Sequence, residues 1–227
     1  MFGVGLADDE CVPALLAAQL DPPRQVHNLA VGGWGPHQML ALLERGRVEE
    51  LVEEPPAAVV YWAIPHHVER VAGRADWDTT GPRYVLDADG GVVRAGSLLD
   101  APASRRSGRS SLAKRSWYVR RVRARRRKTR TDEDVATWVG VVRAAAEEVE
   151  ARFPGCTFIV LMSDLDRADG PELANRLEAA GLEVLRASDL FEGVDAPEQG
   201  WRYPVDGHPT PEAARVYASA LAVRLEG

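Results

Sequence analysis

Cysteine is scarce, and its placement excludes two classes at once. The 227 residues contain Cys11 and Cys156 only. So wide a separation fits neither a disulfide scaffold nor a metal-ligand or redox spacing, and both read as buried thiols. Long apolar runs are missing as well, so the sequence offers no helix able to cross a bilayer. The chain as given has no signal peptide, which leaves the compartment open with the cytoplasm as the default. Between Ser104 and Arg130 there is no acid at all, although 13 of the 28 Lys and Arg lie there, leaving 15 bases against 34 acids elsewhere. Aromatics make up 7% of the chain and do not interleave with Arg125-Arg126-Arg127-Lys128, so a single-strand nucleic-acid binder is disfavoured. What remains, 45% hydrophobic and 27% charged residues, is the composition of a globular domain large enough for one sizeable core.

Helical and strand signals alternate along the chain. A helix over 13–20 precedes a strand over 25–31, a helix over 36–53 and a nearly continuous apolar strand over 57–64. Thr131 is a good N-cap for a helix reaching Arg152, and the acids Asp132, Glu133 and Asp134 suit the positive end of its dipole. A buried strand comes next over 157–162, then a helix over 171–180 ended by Gly181, a strand over 182–185 and a closing helix over 210–225. Such alternation predicts an α/β fold with a parallel sheet covered on both faces. Residues 73–130 interrupt the order: 84–93 read as a hairpin with Asp89-Gly90 at its turn, and 111–128 as an amphipathic helix. The basic segment 104–130 reads as a solvated helix or lid that complements an acidic body, with contact to an anionic surface or partner as the alternative.

Three short stretches carry chemistry. Near the end, Tyr203-Pro204-Val205-Asp206-Gly207-His208-Pro209-Thr210 places an acid and a histidine two apart on a turn that opens the last helix. Such a pair can serve as orienter and base for a nucleophile supplied from elsewhere. Upstream, 26–40 read VHNLAVGGWGPHQML, a strand, a Gly-rich turn and a helix; a residue without Cβ at that turn lets backbone N–H groups approach a ligand closely. Finally, 57–67 read AAVVYWAIPHH, a buried strand ending in two histidines.

In this order the three stretches resemble blocks of the SGNH/GDSL hydrolases, over roughly 1–70 and 130–227. The resemblance implies a flavodoxin-like three-layer α/β/α sandwich with a mostly parallel sheet, one SGNH-like domain spanning 1–227 with 73–130 as an insertion. It implies a Ser-His-Asp mechanism in which His208 is the base, Asp206 orients it, and the Gly33 N–H donates to the oxyanion, with Asn28 starting the same run. His66 stands where the family's Gly-x-Asn-Asp has its Asn, so an imidazole N–H replaces an amide as the second donor. The Asp-x-His spacing is one residue shorter than the family's Asp-x-x-His, so the pair works only on a tightened turn. The Gly-Asp-Ser block is missing. Met1-Phe2-Gly3-Val4-Gly5-Leu6 resembles the residues immediately after that Ser, so the nucleophile and its strand are expected upstream of Met1, that strand lying between 25–31 and 57–64. Ser104, Ser107, Ser110, Ser111 and Ser116 sit in the basic segment and Ser163 ends another strand; none replaces it.

The expected activity is therefore hydrolysis of a small-molecule, glycan or lipid ester, with no metal or organic cofactor and no nucleic acid. An inactive relative that binds an acylated ligand or a protein partner is the alternative. A nucleotide-binding module using Gly32-Gly33-x-Gly35 is weaker, because the turn lacks both the Lys-Ser/Thr of a P-loop and the full G-x-G-x-x-G fingerprint.

Overall fold

The computed structural model describes residues 3, 5–101, 130–191, 201–203 and 207–226. In chain order they form α1 (Val12–Gln19), α2 (Pro36–Glu44), β1 (Ala58–Ala63), α3 (His67–Val71), β2 (Pro82–Leu86) and β3 (Val92–Ser97). Next come α4 (Asp132–Arg152), β4 (Thr157–Met162), α5 (Gly170–Ala179), β5 (Glu183–Arg186), α6 (Ala187–Leu190) and α7 (Pro211–Glu226). The fold is mixed α/β: a three-stranded parallel sheet in the order β1-β4-β5, and a separate β2–β3 hairpin. By contacts the chain divides into two compact units, Met1–Gly32 with Pro56–Pro65 and Thr157–Gly227, and Gly33–Pro55 with His66–Cys156.

The first unit holds the parallel sheet. Ile159, Val160, Leu161 and Met162 of β4 are all fully buried, as a central strand enclosed on both faces requires. On one face Ile159 and Leu161 meet Val12 and Leu16 of α1 and Ala214, Tyr217, Ala218 and Leu221 of α7. Those α7 positions recur at the 3,4 spacing of one helical stripe, which is why the closing segment is a helix. Trp62 and Phe191 pack edge-on against Tyr217, with ring centroids 4.8 and 5.2 Å away. The second unit is built on α4, whose Trp138, Val141, Val142, Ala145 and Val149 form a buried stripe against which α2, α3 and the hairpin pack. Thr131 caps α4 as expected: its Oγ1 accepts from the Asp134 N–H at 3.2 Å, and Asp134 Oδ2 accepts from the Thr131 N–H at 2.8 Å.

Two expectations are corrected. Residues 25–31 form no strand. Their backbone is in no ladder among the described residues, and Leu29 and Val31 are 38% and 45% exposed. Strand geometry is held by a neighbouring ladder, and this run has none among the described residues. The second correction concerns α2, which stops at Glu44 rather than reaching residue 53. Gly46 takes φ +64°, and its N–H donates to the Leu43 carbonyl at 2.9 Å while the Arg47 N–H donates to Leu42 at 3.0 Å. This is a Schellman ending, which a residue with a Cβ would strain. The apolar spacing running on through Val48, Leu51 and Val52 concealed it. Smaller differences are a one-residue shift of β5, the short helix α3, which begins directly after His66, and α6. Both cysteines are thiols; Cys156 is buried, but Cys11 is half-buried and its Sγ donates to the Asp8 carbonyl at 2.9 Å.

Candidate functional site

His208 lies in the first unit, just before α7. The Tyr203 N–H donates to the His208 carbonyl at 2.9 Å, the Gly207 N–H to Tyr203 at 2.8 Å, and the Thr210 N–H to Trp201 at 3.0 Å, closing an antiparallel bridge between Arg202 and Pro209. Thr210 caps α7, its Oγ1 accepting from the Ala213 N–H at 3.4 Å. Arg202 ties the turn to the sheet, donating through Nη1 to the Gly207 carbonyl at 3.2 Å and through Nη2 to Ser163 Oγ at 3.3 Å. Ser163 directly follows β4, and its N–H donates to the Ala63 carbonyl at 2.8 Å. The His208 turn is thus anchored at the C-terminal end of the parallel strands, where open α/β sheets place ligands. Asp206 lies outside the described residues.

The same turn touches the start of the chain. The Tyr203 hydroxyl donates to the Gly5 carbonyl at 3.3 Å, and a Cβ on Gly5 would come within 3.3 Å of the Tyr203 ring. Beside it, Asp164 is buried, its carboxylate accepting from the Ser188 N–H at 2.8 Å and the Ser188 hydroxyl at 2.6 Å. This carboxylate therefore serves to hold α6 beneath the end of β4.

Gly33 and His66 belong to the second unit. Gly33 has φ +83°, the left-handed region that favours glycine, and a Cβ there would fall 3.0 Å from Trp77 Nε1. Its carbonyl accepts from the Trp77 indole at 3.1 Å, while its N–H has no acceptor among the described residues. The next carbonyl, of Trp34, accepts from Arg70, whose guanidinium also lies 5.8 Å from the centre of the Trp77 ring. His66 is exposed at the start of α3, with φ −66° and ψ −13°. Asn28 lies in the unladdered stretch, its Oδ1 accepting from the Ala30 N–H at 3.3 Å.

A polar cluster that the sequence did not reveal braces this turn. Asp78 Oδ2 pairs with His37 Nε2 at 2.7 Å and accepts from Gln38 Nε2 at 2.5 Å, and Gln38 Oε1 accepts from the Gly35 N–H at 2.8 Å. Burial raises the Asp78 pKa, but hydrogen bonds and attraction from His37, with Gln38 and the Gly81 N–H, outweigh it and leave the carboxyl below its ordinary value. Next along α3, His67 is fully enclosed; burial, then Arg70, His37 and His66, hold it well below its ordinary pKa, so it is neutral. A Gln at the third helical position was a readable capping signal. Asp78, 41 residues from His37, carried none.

The basic run over 104–129, including Ser104, Ser107, Ser110, Ser111 and Ser116, lies outside the described residues. Arg130 is described and is engaged by Glu69 through two bonds of 2.9 and 3.1 Å. Among the described residues no group of three or more His, Cys, Asp or Glu is arranged to hold a metal, and no helix is long and apolar enough to cross a membrane. No family model, curated protein or solved structure matches the chain.

Proposed function

We propose that this chain is an SGNH-type serine ester hydrolase whose nucleophile is carried on a strand upstream of Met1. The observation that carries the reading is the contact between Gly5 and Tyr203. It brings Gly5 against Tyr203 on the stretch leading to His208, which supports a seryl strand ending near the same end of the sheet. The unladdered 25–31 segment, with Leu29 and Val31 exposed, supports it, as does β1, which has β4 as its one ladder neighbour among the described residues. A further strand between 25–31 and β1 would give both a partner and complete a three-layer sandwich.

In this reading the upstream Ser attacks the ester carbonyl, His208 takes its proton and returns it to the leaving alcohol, and Asp206 fixes the imidazole tautomer. Gly33 and His66 keep the oxyanion-donor roles that the resemblance assigns them, and no cofactor takes part. Hydrolysis of p-nitrophenyl acetate tests it. A chain extended upstream through the seryl strand is expected to turn over, and His208→Ala in it to lose at least about 10³-fold in kcat. Turnover unaffected by His208→Ala would overturn the assignment. An extended chain that folds but does not turn over would favour the non-catalytic binder instead.

A further inference from the structure

A groove of about 240 Å³ in the second unit is walled by α2 on one side and the β2–β3 hairpin on the other. Its lining includes Leu42, Pro82 and the half-exposed Trp34, with Arg45, Arg94 and Thr80 among its polar residues. No carboxylate lines it. That runs against the chain's charge, which is −6 in total and far more acidic outside 104–130. Arg45 is exposed and makes no ion pair or hydrogen bond among the described residues, nor does the Thr80 hydroxyl. Arg94 is held only loosely, its Nη1 3.6 Å from Glu44 Oε2, an oxygen that already accepts from the Tyr84 hydroxyl at 2.7 Å.

Two underused arginines beside the apolar side chains of one groove suit a carboxylate, whose two oxygens match the guanidinium fork. An indole face suits a ring, aromatic or pyranose. The volume falls below the roughly 300–1,000 Å³ of sites for drug-sized ligands, so the ligand is a single ring. We propose that this groove binds a small carboxylate carried on one ring, the ring lying on Trp34 and the carboxylate between Arg45 and Arg94. None of these residues has a role in the hydrolytic reading, so the two proposals stand or fall separately.

Calorimetric titration of the 227-residue chain with benzoate and with glucuronate tests it, with benzyl alcohol and methyl glucoside as neutral counterparts. At least one acid is expected to bind with a Kd near 1 mM or below. Benzoate alone would mark an aromatic acid, glucuronate alone a sugar acid, and either supports the site. The double variant Arg45→Gln/Arg94→Gln is expected to weaken binding at least about tenfold, since it removes charge-assisted hydrogen bonds. Both residues are on the surface, so circular dichroism should show an unchanged fold. Trp34→Ala is expected to weaken binding severalfold. The proposal is overturned if neither acid binds below about 10 mM, if the neutral counterparts bind as well, or if the folded double variant keeps its affinity.

Discussion

At Asp78 a single carboxylate oxygen serves two side chains, His37 and Gln38, and the residue before it pins the Gly33 carbonyl. Removing that carboxylate leaves a buried imidazole N–H without its acceptor. Asp78→Ala is therefore expected to cost about 1–3 kcal/mol in urea unfolding; a change under about 0.5 kcal/mol, the ordinary surface range, would show that the cluster braces nothing. Its carboxyl is below its ordinary pKa, so the stability it contributes is present above about 3.9 and is lost as pH falls through the folded value. The Gly33 turn before α2 and the Thr210 cap beside His208 were legible because each motif is contiguous, while Asp206 lies outside the described residues. Asp78, Arg202 and Tyr203 were not legible as partners. Their roles depend on contacts across tens to hundreds of residues, and Asp, Arg and Tyr in loops have no spacing that announces them.

Among the elements, those read correctly had a continuous apolar run, a capping residue or a turn dipeptide to mark them. The strand over 57–64 was one, the helix over 131–152 and its Thr131 cap another, and the hairpin turn at Asp89-Gly90 a third. The two failures differ: α2 stopped at a Schellman ending that its apolar spacing concealed, and 25–31 lacked a partner. Residues 25–31 have strand composition, yet they join no ladder among the described residues and leave Leu29 and Val31 exposed to solvent. Amide hydrogen exchange separates these cases. The amides of 25–31 are expected to exchange at near-unstructured rates in the 227-residue chain, and those of Ile159–Met162 in β4 only through global unfolding. Slow exchange over 25–31 would mean that this segment is already paired, and the case for a further strand beside β1 would fall with it.

For the whole molecule, His67 adds a pH dependence at higher pH than Asp78 does. Its folded pKa is depressed by burial, with Arg70 and the neighbouring histidines adding to the effect, whereas the unfolded chain takes up a proton near the ordinary 6.5. Below that pH the unfolded state binds the proton and the folded state does not, so stability is complete above about 6.5 and declines as pH falls toward the folded pKa. His67→Gln is expected to flatten the unfolding midpoint between about pH 6.5 and 5, and an unchanged slope would assign the dependence to other groups. The α/β class was readable from alternation, while the division into two compact units was not, because both are assembled from discontinuous stretches that interleave in the sequence.

The measurement that bears most directly on the hydrolase reading is the mapped site of labelling by a fluorophosphonate, which reacts only with a serine activated by a working base. The account predicts no label on the 227 residues alone. It predicts stoichiometric label on a serine N-terminal to Gly3 in the upstream-extended chain, abolished by His208→Ala. Ser163, tied by Arg202 to the His208 turn, is the alternative acceptor within the described residues. A label mapped to Ser163, or to any serine of the 227, would contradict the placement of the nucleophile.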